Sequence, residues 1–239
     1  MSRADGRPLL PFGATLALLV AALPLLMLAS LAQGDGGASS VGEALLGLGS
    51  LLGWGEALAG HDQTILELRV WRVLTTAGVG AAMALSGALV QGLFRNGLAA
   101  PSVLGLTAGA SLGASLAIVA LAGGATLVSL ADAGLLTLLV PLSGFVGALG
   151  AVLLVAVLAA PGGRLSVPML LLTGIAVNTC LAGVLSLISS LALEHWEISR
   201  ALQAWTFGTL DNRAPLHAVT VWWGLSLAVL AVPFVAWEL

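Results

Sequence analysis

The sequence has no lysine and no tyrosine, a single cysteine, and charged residues at only 8% of its 239 positions. A soluble domain carries about 25% charged residues, so this scarcity excludes an ordinary water-soluble fold. With 59% apolar residues, the chain reads instead as a polytopic membrane protein. The lone Cys180 excludes an internal disulfide and says nothing about redox compartment. The basic residues are eight arginines scattered through short polar breaks, and the net charge is −3, so there is no basic patch and nucleic acid is not expected as a partner. Without tyrosine, tryptophan is the residue type left to anchor helix ends at a membrane interface.

Motifs for chemistry are missing too. There is no Walker loop, no Rossmann glycine fingerprint and no HExxH, and hence no nucleotide site within the chain. His61, His195 and His217 stand far apart beside polar segments, with no Cys/His cluster and no Ser-His-Asp arrangement. Neither catalysis, a cofactor nor a metal site is expected, although a ligand role for an isolated histidine stays open. No acidic residue lies in the middle of an apolar run, which weighs against a proton- or sodium-coupled carrier. Any work the chain does draws its energy from a partner or a gradient.

What is present is a series of apolar runs. About 20 apolar residues are needed to cross roughly 30 Å of hydrocarbon at ~1.5 Å of rise each. Six stretches qualify: Leu9–Ala32, Trp71–Phe94, Ser102–Leu121, Ala133–Ala160 with Pro141 inside it, Val167–Leu191 and His217–Trp237. The fold class expected is all-α, a polytopic helical bundle in the lipid bilayer. The first run follows Arg3 and Arg7 and is too long for a signal-peptide core, so it reads as a retained helix. A kink is expected near Pro141, where one backbone hydrogen bond is lost. Val41–Leu58, with Glu43 and Glu56, reads as an amphipathic surface helix, and Ala201–Leu210 as a short one. His61-Asp62-Gln63 reads as aqueous, and Pro161-Gly162-Gly163-Arg164 as a tight polar turn.

Small residues recur at helical spacing. Gly105, Gly109 and Gly113 repeat every four residues, Gly80, Ala84 and Ala88 do likewise with Gly87 beside them, and Gly144, Gly147 and Gly150 lie at spacing three. In lipid, helices associate by close backbone approach through such residues, so these are helix-packing faces; the alternative is a route that excludes bulk. Asn178, with Thr173, Gly174 and Thr179 around it, lies inside the fifth run. A buried Asn there either bonds between helices or lines a polar cavity. Arginines divide evenly between the two sides, so the positive-inside rule sets no orientation.

Four segments carry a family resemblance. Arg69-Val70-Trp71-Arg72, then GVGAAMALSGALVQGLFRNGLAAPSVLGLTAGASLGA over 78–114, LLLTGIAVNTCLAGVLSLI over 170–188, and WTFGTL over 205–210 resemble the FecCD family. These are permease subunits of bacterial ABC importers for iron-siderophores, haem and vitamin B12. Trp71 and Gly97 stand where the family pattern has prolines.

The resemblance implies a ten-span fold, of which about six spans are here, forming a single permease domain over residues 1–239. It implies a plasma (inner) membrane location with the N-terminus cytoplasmic. Its partners would be ABC ATPase subunits, a periplasmic substrate-binding protein and a second permease subunit, as a homodimer. Arg69 and Arg72 would dock the binding protein, where otherwise they read as helix-end caps. Asn178, Thr173 and Gly174 would belong to the translocation path, while Gly80, Gly87, Gly105, Gly109 and Gly113 would pack helices. The family's ATPase-coupling loop and last four spans would follow the sixth run, and Leu239 comes before them, so truncation is the expectation. An inactive remnant, an assembly subunit and a gradient-driven carrier are the alternative readings.

Overall fold

The computed structural model describes residues 11–32, 49, 60–123, 133–160, 166–210 and 215–236. The expected surface helix Val41–Leu58, apart from Gly49, and the Pro161–Arg164 turn lie outside the described residues. Seven α-helices occur among the described residues: α1 Phe12–Ala32, α2 Gly60–Phe94, α3 Leu106–Gly123, α4 Ala133–Leu158, α5 Val167–Leu191, α6 Trp196–Phe207 and α7 Pro215–Ala236. Short 3₁₀ turns at Pro101–Leu104 and Ala192–Glu194 precede α3 and α6, and no strand occurs among the described residues. An all-helical answer is what lipid demands, because a helix satisfies its backbone polar groups internally.

Five helices are long and apolar enough to cross a membrane, and Leu106–Ala122 is a shorter apolar helix. The fifth expected span, Val167–Leu191, has the same bounds as α5. Three others differ for identifiable reasons. The second span begins at Gly60 rather than Trp71, because nothing between Gly60 and Arg69 breaks a helix; Arg69 and Arg72 therefore lie well inside α2. The third loses its first turn to the 3₁₀ segment, since Gly105 takes a left-handed conformation (φ 86°). The short helix starts at Trp196 rather than Ala201, with Glu197 in its first turn, and stops at Gly208 (φ 76°). Helix α4 continues through Pro141.

The chain divides into two compact units, residues 1–81 with 210–231, and residues 82–209 with 232–239. In the first, Leu31 and Met27 of α1 pack with Val70 and Val73 of α2. Trp222 Nε1 of α7 donates to Leu74 O at 3.2 Å, and its ring lies over Gly78. Most of α1 is exposed, including Leu16, Leu19, Leu23 and Leu26, the surface expected of a helix that faces hydrocarbon.

The second unit is built on close contact between α3 and α4. A Cβ at Gly109 would strike Gly147 O and Ala151 Cβ, one at Gly113 would strike Ser143 O, and one at Gly147 would strike Gly109 O. Gly105, Gly109 and Gly113 thus interdigitate with Ser143, Gly147 and Ala151. The seam on α4 has spacing four, not the spacing of three that Gly144, Gly147 and Gly150 suggest. Gly144 instead sits against Ala110, Ala114 and Trp205, and nothing lies within 4 Å of a Cβ at Gly150. Ala114 on α3, Val155 on α4 and Ala159 just after it are all fully or almost fully buried.

The end of α2 is closed by a Schellman cap. Asn96 N–H reaches Gln91 O and Arg95 N–H reaches Gly92 O, each at 3.1 Å. Arg95 holds the left-handed position (φ 49°) where glycine is usual. Asn96 Oδ1 then accepts Leu98 N–H at 3.0 Å, which turns the chain toward Pro101. Beneath this turn Val90, Phe94 and Ala99 are buried with Leu104, Leu170 and Leu171 against them.

Two stability measurements check this packing. Gly109→Ala and Gly113→Ala each force the two backbones apart, and we expect a loss of about 1–3 kcal/mol, read as a lower melting temperature in detergent; Gly150→Ala should leave it unchanged or raise it slightly. Ser115 is fully buried and its hydroxyl has no hydrogen-bond partner among the described residues. Removing a buried unsatisfied group relieves a desolvation cost of about 1–3 kcal/mol, so Ser115→Ala should melt at or above the wild-type temperature.

Candidate functional site

Helix α5 starts cleanly because Ser166 is extended (ψ 139°) and a proline occupies its first turn. From there it presents a polar line. An open cleft of about 460 Å³ runs between α3 and α5, and its polar lining is Ser102, Thr107, Ser111, Asn178 and Thr179. A second cleft of about 400 Å³, lined by Ser186, Ser189, Ser190 and Thr206, continues along α5 and α6. The two share Leu185. Thr107 and Ser111 are one helical turn apart on α3, a spacing that would have revealed them in the sequence beside the more conspicuous glycines.

Hydroxyls in these clefts are partly occupied by their own helices. Thr179 Oγ1 donates to Ile175 O at 2.9 Å and Thr206 Oγ1 to Leu202 O at 2.8 Å. Such back-bonding satisfies the proton and leaves oxygen lone pairs free to accept. No ionisable side chain lines either cleft among the described residues. The described lining therefore offers hydrogen bonding from neutral groups.

Asn178 lines the lower cleft but its amide is engaged. Nδ2 donates to Ser102 O at 2.8 Å and to Val103 O at 3.4 Å, bridging α5 to the 3₁₀ turn. Gly174, one turn earlier, is buried directly against Val103 O, where a Cβ would not fit. Thr173 is half-buried and is not among the residues lining the clefts. Of the three residues singled out for a path, Asn178 and Gly174 are brought together at the turn, and Asn178 is the one that lines the cleft between α3 and α5. Gly105, Gly109 and Gly113 face α4, whereas a Cβ at Gly80 or Gly87 would meet nothing within 4 Å.

A third, wider cleft of about 630 Å³ lies where α3 ends and α6 begins, lined by Ile118, Ala122, Glu194, His195, Trp196 and Glu197 among others. No group of three metal-ligating side chains occurs among the described residues.

The arginine pair belongs to the first unit. Arg69 is half-buried and its Nη1 donates to Leu31 O at 3.2 Å. That carbonyl lies in the last turn of α1, where acceptors lack an intrahelical donor. Arg69 thus caps a neighbouring helix, one of the two readings its position allowed. Arg72 is exposed.

Comparison with known proteins places this geometry. The FecCD transport family profile matches residues 18–239. The cobalamin import permease protein BtuC of Halobacterium salinarum is 37% identical over 160 residues, which is 64% of this chain and 39% of that protein. The iron-uptake permease protein FeuC of Bacillus subtilis is 32% identical over 172 residues, covering 71% and 49%. The ferric enterobactin permease protein FepD of Escherichia coli is 36% identical over 172 residues, covering 70% and 47%. The chain spans about half the length, or less, of these relatives. A solved chain of a metal-chelate type ABC transporter in an inward-facing conformation superposes with a TM-score of 0.67 at 23% identity, over 95% of this chain and 62% of that one. That likeness gives the fold. Taken with the apolar helices, the profile match identifies the chain as a multi-pass membrane protein of the FecCD transport family.

Proposed function

We propose that these residues belong to the transmembrane permease subunit of an ATP-driven importer for iron-siderophore, haem or cobalamin-type chelates. The observation that carries this reading is the family match over residues 18–239, joined to relatives whose names give cobalamin import and ferric enterobactin transport. The chain as a whole, residues 1–239, serves one permease domain in the plasma (inner) membrane, with its N-terminus cytoplasmic. Its partners are ABC ATPase subunits, a periplasmic substrate-binding protein and a second permease subunit, a homodimer being the simplest arrangement.

The clefts along α5 support a role in passage. A large chelate must move without being held, and a lining of neutral hydroxyl and amide groups offers hydrogen bonds with no ion pair to break. The neutral side chains that line the clefts among the described residues favour a partner's ATP hydrolysis over proton coupling. Uptake should accordingly vanish when the partner ATPase is inactivated and persist in the presence of an uncoupler. The opposite pattern would establish a gradient-driven carrier.

Arg69 and Arg72 receive different parts in docking. Arg72, exposed on α2, is the contact for acidic groups on the binding protein, and Arg69 holds the end of α1 in place beside it. Rim charges act mainly on association rate and salt dependence. Arg72→Glu should slow association with the cognate binding protein about tenfold at low salt, an effect that fades as salt rises. Arg69→Glu should lower the melting temperature as well. Unchanged association kinetics for Arg72→Glu would remove the docking assignment.

A further inference from the structure

The start of α3 is bent, and the bend is held from outside. At Pro101–Leu104 the backbone bonds run three residues back, Val103 N–H to Ala100 O and Gly105 N–H to Ser102 O, each at 3.1 Å. Gly105 then turns left-handed at φ 86° and α3 proper begins at Leu106. In an unbroken helix Ser102 O and Val103 O would accept from the N–H groups of Leu106 and Thr107, four residues on. Here Ser102 O accepts from Gly105 N–H and from Asn178 Nδ2, and Val103 O accepts from Asn178 Nδ2. Gly174 leaves the room that brings Val103 O against α5.

Nothing local forbids the unbroken helix. Pro101 is suited to a first helical position, where its missing N–H costs nothing. Every residue from Ser102 to Leu106 other than Gly105 already has a right-handed or helical setting within its element, so one glycine separates the two forms. Length favours the change. Leu106–Gly123 is roughly 27 Å long at ~1.5 Å per residue, short of the ~30 Å hydrocarbon layer, whereas Pro101–Gly123 would reach roughly 34 Å.

We propose that the Pro101–Gly105 segment is a two-state element, bent as seen here or continuous with α3, and that Asn178 is the latch that selects the bent state. In the bent state Asn178 supplies a donor to Val103 O and a second one to Ser102 O. In the straight state Ser102 O and Val103 O return to the helix, and the released amide joins the hydroxyls of the cleft between α3 and α5. The switch thereby couples the turn after α2 to the lining of that cleft. It stands on the backbone geometry and does not depend on the transport reading.

The test is a distance measurement in the intact chain in lipid nanodiscs. Leu98, exposed on the turn, is replaced by cysteine and spin-labelled together with the native Cys180 on α5, also exposed. Pulsed electron resonance then reports the 98–180 distance distribution. Asn178→Ala removes the latch, and Gly105→Ala penalises the left-handed residue by roughly 1–2 kcal/mol, or about five- to thirtyfold in population. Each should raise the population of a second distance at least fivefold. Asn178→Gln, which keeps an amide donor, should stay closer to the wild type than Asn178→Ala does. The same distribution in wild type, Asn178→Ala and Gly105→Ala would overturn the proposal. Should Gly105→Ala fail to fold, an unchanged Asn178→Ala overturns it alone.

Discussion

In hydrocarbon a backbone carbonyl that leaves its helix must find another donor within the protein. The architecture of the second unit follows from where that obligation arises. It arises at Gly105, and Asn178 helps to meet it from a helix more than 70 residues away in the chain. The obligation fixes which face of α5 turns toward α3, it accounts for a glycine at 174, and it places the hydroxyls of Thr107 and Ser111 across from Asn178 and Thr179. Two other helix ends meet the same demand, α2 locally through the Schellman cap at Arg95 and α1 through Arg69 of the neighbouring helix.

Small residues and polar residues divide the work in a consistent way. The α3–α4 contact is made almost without side chains, so its strength comes from dispersion between backbones at close range. The α3–α5 contact is looser and polar, and open space remains there. One helix thus has a tight flank and a loose flank. The glycine face and the Thr107–Ser111 face of α3 lie on different sides of the same short helix, and this separation lets one side be structural while the other stays accessible.

Much of this was legible in the sequence. Apolar runs of spanning length located the helices, because hydropathy and length are properties of a segment alone; α5 has the expected bounds. The repeat at Gly105, Gly109 and Gly113 was legible as a face for the same reason. Its partner was not, since serine and alanine at 143 and 151 do the work of glycine and counting glycines alone suggested the register 144, 147, 150. Nor could Gly80 be told from Gly109, because whether a small residue is used depends on what arrives opposite it. The fate of Asn178 hung on a conformational break at Gly105, and a glycine in a helical pattern gives no sign of which φ it adopts. Arg69 illustrates the converse: both a capping and a docking reading fit its spacing, and the sequence gives no sign of the approach of Leu31 O.

The interlocked seam between α3 and α4 has a mechanical consequence. With the carbonyls of Gly109, Ser143 and Gly147 set into notches on the opposing helix, the pair cannot glide by small increments. Any slip must lift one ridge over the next and settle again about one helical turn, roughly 5.4 Å, further on. Between such jumps α3 and α4 behave as a single stiff rod, so movement in this half of the chain is confined to what the rod meets on its other side.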